Sequence, residues 1–588
     1  MLFQGKISVV KILRKLRLLD WLVLFATFLF SYWLMASTFG YKDGQIWMDS
    51  KLYSDFGAHL PLIRSFSFGS NFPPEYPFFA GEPIRYHYLF YLLVGLLEKL
   101  GLRIDWALNI PSVLGFWLLL MMIYRLTLSF FRSRLAGVLA IILFLFNGSL
   151  SFVEYFDQQG WSITSLMEIP QQKHFASFGP WSGRPVSAFW SLNVYTNQRH
   201  LGLSYGLVLL GLLPLLTQIG QANRKKVKGK FLRVLHKLFL SRIQHLKKML
   251  NIKHPNLRQL NLWLILLFFF LPILHQAGYM MLLYLSGCLL IFYGHKYSAV
   301  TKLSYVLAIA LSLISFKFLT TGSSQPISLT FGYLAEDKTW LGLLSYWWFN
   351  LGVYLLLIPI LLIFGWIKQN YLLLFSLGLF VVVNVTRLSP DMINNHKLIN
   401  FFMIIVVIFT AGLLVSWLKR GWFSAVISLL IVPSLIFSGV MDLFPIINDT
   451  TGGVDDWRKS AMQSWIKENT STKAQFLTAS YMYSPASLVG RQIYLDYGYH
   501  AWSMGYDDHQ KRQLLPQLWS ATISLDKWCG LMYREGLDYV LVGPGERATE
   551  DGRISVDQSR LVREIPPSHQ SADGWQVWQV QTVCDNSD

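Results

Sequence analysis

Apolar residues along this chain run in long blocks separated by short polar stretches, and the blocks recur at the length of helix that crosses a bilayer, roughly 20 residues. Spans are expected near 19–37, 105–124, 135–150, 200–219, 263–274, 280–293, 303–319, 341–367, 372–385, 399–418 and 423–440. The pattern predicts a polytopic α-helical membrane protein of about 11 transmembrane helices over residues 1–447. The block at 86–100 is shorter and carries Arg85, His87, Glu98 and Lys99 near its ends, so it is expected to lie as a helix at the interface. Past residue 448 the pattern changes. A helix at 455–468 and strand-like runs at 474–478, 492–495, 539–542 and 575–580, divided by Gly, Pro and polar turns, predict a soluble α/β domain over 448–588.

Charge sets the orientation of these elements. Lys6, Lys11, Arg14, Lys15 and Arg17 precede a first block that is too long for a signal peptide and lacks a small-residue cleavage site, so it is expected to stay as the first span with a cytoplasmic N-terminus. If 86–100 does not cross, Arg125, Arg132 and Arg134, the crowded basic run at 224–258, Lys296, Lys368, Lys419 and Arg420 all fall on the same inner side. The loops at 39–104 and 151–199 and the domain 448–588 are then extracytoplasmic, in a multi-pass protein of the cell membrane. The net charge of +18 is explained by this rule without a nucleic-acid partner. Within the basic cytoplasmic insert 220–260, Phe231, Leu235, Leu238, Phe239, Ile243, Leu246 and Leu250 recur at helical spacing, which suits an amphipathic helix on anionic lipid. A solvated connector that only fixes topology is the alternative. Hydrophobic residues make up 53% and charged residues 14%, which excludes a soluble protein. Cys288 falls inside a span, whereas Cys529 and Cys584 lie in the tail and can pair if it faces an oxidising compartment.

The polar stretches carry the candidate chemistry. Asp55 and His59 are four apart, so in a helix they share a face and can bond or address one substrate together. A carboxylate there, or at Asp49, can take a proton from an attacking hydroxyl or amine, or bind a divalent cation. The same residues also read as ordinary solvated loop acids. Asn71 to Glu75, with Pro73 and Pro74, and Gly81 to Pro83 form a stiff, turn-rich segment. It is expected to set Glu75 and Arg85 beside Asp55, or else to be inert packing. Gln198, Arg199 and His200, then His275, and then Asp391, Asn394, Asn395, His396 and Lys397 stand at span ends, where polar groups are costly unless they serve a site. Arg199 and Lys397 suit a phosphate, or anchor helix ends at headgroups. A Walker loop, a dinucleotide fingerprint, His-Glu-x-x-His and Cys-x-x-Cys are all missing, which argues against a nucleotide-driven pump.

Taken together, the chain resembles the GT-C superfamily of membrane glycosyltransferases, and within it the prokaryotic group similar to the protein O-mannosyltransferase and aminoarabinose-transferase branches. The resemblance rests on Asp55 and His59 after the first span, Arg64-Ser65-Phe66, Asn71-Phe72-Pro73-Pro74-Glu75 and the run Ala80 to Tyr88. It extends more loosely to Asn197-Gln198-Arg199, Asp391 to Lys397, Gly490-Arg491 and Gly498-Tyr499. It implies sugar transfer from a polyprenyl-phosphate donor to an extracytoplasmic glycan, lipid or protein acceptor, with membrane lipids as further partners. It also implies that Asp55 is the catalytic base or orients the acceptor, with His59 and Asp49 beside it, and that Arg199 and Lys397 hold the donor phosphate. Glu75, Arg85, His87, His275, Asp391 and His396 complete the expected donor and acceptor site. The loop lacks a strict Asp-x-Asp, so no obligatory cofactor is expected, although a divalent metal fits. A multispan transporter or flippase of lipid-linked glycans, and a glycan polymerase or ligase, are the competing readings. The transferase reading requires the early carboxylate and the later cations to gather around one cavity on one side of the bilayer.

Overall fold

The computed structural model describes residues 17–85, 87–177, 191–222, 261–319, 327–367, 371–479, 482–495, 497–549 and 554–585. The N-terminal lysines and the amphipathic run of the basic insert lie outside the described residues. The rest is mostly helical, a multi-pass membrane domain followed by a small α/β domain.

Each expected apolar block is helical. In chain order, α1 (Leu18–Thr38) is followed by α2 (Tyr53–Ser67) and α3 (Leu89–Lys99) in the first loop, then α4 (Ile104–Phe131), α5 (Arg134–Leu145) and α6 (His200–Ala222). Next come α7 (Leu262–Leu274), α8 (Gln276–Tyr293), α9 (Ala299–Leu319), α10 (Trp340–Leu351), α11 (Val353–Ile367), α12 (Leu372–Val385), α13 (His396–Leu418) and α14 (Trp422–Met441). Seven of these are long and apolar enough to cross a membrane. The expected straight span at 341–367 is instead the pair α10 and α11, bent by 94° at Gly352, whose φ of +51 favours glycine. Counted as one, the pair makes an eighth candidate. The helices α5, α7 and α12 are apolar but only 12 to 14 residues long, about 18–21 Å at 1.5 Å per residue, short of a ~30 Å hydrocarbon core. Of the eleven expected blocks, seven, or eight with the bent pair, thus reach spanning length, and the other three are shorter apolar helices. At 11 residues α3 is shorter still, in keeping with the expectation that it does not cross.

Packing follows from sequence at two places. Helix α13 is apolar on every face, and every residue from His396 to Val415 is buried, as expected of a helix surrounded by others. Helices α4 and α6 cross closely because each brings a glycine against the other's backbone: a Cβ on Gly115 would stand 2.8 Å from the Leu203 nitrogen, and one on Gly202 2.9 Å from the Phe116 Cα. At one end of the bundle Asp20 of α1 takes a two-pronged ion pair from Arg134 of α5, at 2.8 and 2.9 Å, and the Tyr124 hydroxyl of α4 at 2.6 Å.

The first loop opens as a hairpin of β1 (Phe39–Lys42) and β2 (Gln45–Asp49), turned by Asp43-Gly44 with φ of +52 and +76. A short pair, β3 (Ser328–Leu329) with β4 (Thr386–Arg387), ties two later loops. Strand β5 (Thr451–Asp455) pairs antiparallel with β2. The soluble domain expected from 448 thus begins inside the first loop's own sheet. Because 451–455 is strand, the helix expected at 455–468 starts later, as α15 (Ala461–Asn469), with Ser460 accepting from the Gln463 N–H. The main sheet holds β6 (Gln475–Thr478), β7 (Gln492–Ile493), β8 (Tyr539–Val542), β9 (His569–Gln570) and β10 (Gln576–Gln579) in the order β7-β6-β8-β10-β9. Its first three strands are parallel, and β10 runs antiparallel to β8 and β9. A disulfide joins Cys529 to Cys584, with Cα atoms 5.9 Å apart.

Candidate functional site

The hairpin hands the chain directly to α2, whose first turn carries Asp55 at the positive end of the helix dipole. From Phe56 onward α2 is buried throughout, so its acid stands at the edge of the packed interior, half-buried. Burial pushes the Asp55 carboxyl up to about 6, and the ammonium of Lys397 opposes that rise. His59 is buried, its ring stacked on Tyr91 at 4.8 Å. Burial, and then the charges of His500, Lys397 and Arg199, press its imidazole down to about 3, so it is neutral. Asp55 and His59 share the helix, but no hydrogen bond joins them.

Lys397 arrives from the far end of the sequence, at the start of α13. The preceding loop is held by its own side chains: Asp391 accepts from the Ile393 N–H at 3.1 Å, and Asn395 donates to the Thr386 carbonyl at 2.7 Å. His396 Nδ1 donates to the Ile393 carbonyl at 2.7 Å. Among the described residues, the Lys397 ammonium, 7% exposed, makes one hydrogen bond, to Asn394 Oδ1 at 3.2 Å, of the three it can donate. It therefore keeps donors for a ligand.

The tail closes over this pair. Tyr499 donates to Asp391 at 2.6 Å. Tyr483 packs on Tyr53 with centroids 4.6 Å apart and donates to its carbonyl. His500 is buried, and among the described residues its Nδ1 has no hydrogen-bond partner. Gly57, between Asp55 and His59, makes room for the tail: a Cβ there would meet the Met482 sulfur at 2.5 Å. Tyr483 and His500 were missed in the sequence, where they are two aromatic residues among many. Tyr499 carried a faint signal as part of Gly498-Tyr499.

The other expected site residues do different work. Glu75 accepts from Gln492 of β7 at 2.6 Å, and Asn71 folds its loop by bonding the Glu75 backbone at 2.7 and 2.9 Å. Arg85 donates to the Gly505 carbonyl at 2.8 Å and to Glu82 at 3.0 Å, and it stacks on Tyr506. The stiff segment thus turns Glu75 and Arg85 to the tail, and neither contacts Asp55. Arg199 is not free for a phosphate either. Its guanidinium, 2% exposed, donates to the Thr196 and Met35 carbonyls, Asn109 Oδ1 and Thr38 Oγ1 at 2.7–3.2 Å. Asp49, 4% exposed, is pushed up to about 7 by burial and by Asp449, with Arg199 and Lys51 opposing. His87 and His275 do not face Asp55 either: they meet His200 in a buried cluster behind His59.

Residues 5–192 match the model of a family described as an uncharacterized membrane protein family, DUF2298. No curated protein matches the chain. Among solved structures, the chain is similar to the apo Archaeoglobus fulgidus oligosaccharyltransferase, at 11% identity over 88% of this chain and 69% of that one, with a TM-score of 0.44. It is also similar to the archaeal oligosaccharyltransferase AglB from Archaeoglobus fulgidus in complex with an inhibitory peptide and a dolichol-phosphate, at 12% identity over 89% and 69%, with a TM-score of 0.40.

Proposed function

We propose that this chain is an integral membrane glycosyltransferase that moves a sugar from a polyprenyl-phosphate donor to an extracytoplasmic acceptor. One observation carries the reading: the tail reaches both Asp55 of the first loop and Lys397 at the start of a late helix, Tyr483 bonding the Tyr53 carbonyl beside Asp55 and Tyr499 bonding Asp391 of the loop that leads into Lys397. An acid poised near neutrality and a cation with spare donors, supplied by segments more than 300 residues apart, are what a displacement at a sugar phosphate needs. The acceptor hydroxyl oxygen attacks the anomeric carbon and its proton passes to Asp55. The bond from that carbon to the phosphate oxygen breaks, and polyprenyl phosphate leaves with the new negative charge beside Lys397. Phosphate is already a fair leaving group, so alignment and the cation supply most of the acceleration.

The Cys529–Cys584 bond supports placing the tail, and the site it covers, on the oxidising side of the membrane. Arg199 contributes as a clamp on α1 and α4 rather than as a phosphate ligand. The test is reconstitution of the full chain in vesicles with a labelled polyprenyl-phosphate sugar. Label recovered in a new glycosidic bond supports the reading. Label moved across the bilayer with the donor intact contradicts it in favour of a flippase.

A further inference from the structure

Three histidines far apart in sequence meet inside the protein: His87 at the end of the first loop, His200 opening α6, and His275 between α7 and α8. They are 4%, 0% and 0% exposed, and one ring nitrogen of each lies within 4.8 Å of the others. The Nε2 atoms of His87 and His200 are 2.9 Å apart. The transfer chemistry above uses none of the three.

The outer partners of two of these rings are oxygens. His200 Nδ1 lies 3.1 Å from the Tyr91 hydroxyl, and His275 Nδ1 lies 2.8 Å from the Ser204 hydroxyl, with the Gly278 N–H at 3.2 Å. A histidine that ligates a metal is held by its second nitrogen giving a proton to an oxygen, as His200 Nδ1 can give one to Tyr91. His275 Nδ1 instead accepts from the Gly278 N–H, so a metal on its Nε2 requires the ring proton to move from Nε2 to Nδ1, where Ser204 Oγ accepts it. Among the described residues, His275 Nε2, fully buried, has no hydrogen-bond partner. A buried imidazole nitrogen without a partner is costly, and a metal bond would satisfy it.

We propose that His87, His200 and His275 form a binding site for one divalent transition metal of the zinc type, separate from the Asp55–Lys397 pair. An all-imidazole set selects zinc, cobalt, nickel or copper over magnesium or calcium, which prefer oxygen. With Zn–N bonds of about 2.0–2.1 Å, tetrahedral ligand nitrogens sit roughly 3.3 Å apart. The close pair therefore needs to open by a few tenths of an ångström, and the wider separations, up to 4.8 Å, to close by as much as about 1.5 Å. Three protein ligands leave the fourth position to a small oxygen ligand. The site ties the first loop to α6 and to the α7–α8 turn, behind the ring of His59, whose centroid is 6.4 Å from that of His200.

The test uses the full chain, purified in detergent, stripped with a chelator and titrated with Co2+ alone. One ion per chain, with the visible absorption of tetrahedral cobalt and X-ray absorption showing imidazole nitrogens, is the expected result. Replacing His87→Ala or His275→Ala should weaken binding by at least ~10-fold, while Asp55→Asn leaves it unchanged. No uptake by the wild-type protein at micromolar Co2+, or a first shell of oxygens only, overturns the site without reference to any variant. Cobalt retained at wild-type affinity by a folded His275→Ala protein overturns it too. No sugar donor enters the measurement, so its failure leaves the transferase reading standing, and the reverse holds.

Discussion

Arg64 of α2 stands 2.9 Å from Asp456, just past β5, and 3.3 Å from Glu98 of α3, with its guanidinium over the Phe68 ring. All three charged side chains are buried, so the membrane-side loop and the tail share one ionic joint. The Arg-Ser-Phe motif that pointed to a transferase thus contributes architecture rather than chemistry. Arg64→Met leaves two acids buried together and should cost about 3–5 kcal/mol. The expected outcome in a thermal melt is loss of cooperative unfolding of the tail. A melt within a degree of wild type would contradict this role.

Arg199 and Lys397 look alike in sequence and should behave differently on mutation. Lysine at 199 cannot reach the Met35 carbonyl, Asn109 and Thr38 at once, so Arg199→Lys should destabilise by roughly 2–4 kcal/mol and leave the donor KM of the folded fraction unchanged. Lys397→Met should keep the fold and lower kcat by about 10²–10³. The pairing of melts with steady-state kinetics separates the two, and a raised donor KM in Arg199→Lys with normal stability would reverse the assignment.

The rate should follow the ionisation of Asp55. Its carboxyl is raised to about 6 by burial, with Lys397 pulling the other way, so the base is charged and active above that pH and is lost as pH falls through it. Removing the ammonium in Lys397→Met takes away the opposing effect and should move the acid limb of kcat/KM to higher pH. Because the folded value lies above the unfolded one of about 4, any stability Asp55 contributes is present below pH ~4 and gone once pH passes ~6. Asp55→Asn should accordingly be no less stable than wild type at pH 7. An acid limb near pH 4 in the wild type, or one that Lys397→Met does not shift, would contradict the pairing.

The helices were legible because long apolar runs admit few other structures. The bend at Gly352 was not, since it interrupts an apolar run at a single residue whose backbone sign the sequence does not show. The carboxylate and the late lysine were legible as chemistry in unlikely places. Their partners were not: β2 finds β5 some 400 residues away, and Arg199 spends its donors on backbone carbonyls that every residue possesses. The Asn71–Pro83 segment was aimed at Asp55, whereas Glu75 and Arg85 bond the tail, because Gln492, Gly505 and Tyr506 belong to a domain that composition alone sets apart.

The close crossing of α4 and α6 sets the position of Arg199 and His200 at the head of α6. A branched side chain at Gly202 meets the Phe116 backbone, which cannot yield as a flexible side chain would. Gly202→Val should lower the melting temperature by several degrees and reduce transfer with it, while Gly287→Val, where a Cβ meets nothing within 4 Å, should do neither. Equal tolerance at both positions would remove the crossing as a determinant of the site.

The most direct measurement is transfer of labelled sugar by Asp55→Asn in membranes, with expression and melting matched to wild type. Loss of turnover by at least ~10²-fold, with donor binding retained, is the predicted result. Wild-type turnover from a folded Asp55→Asn protein would contradict the account at its base.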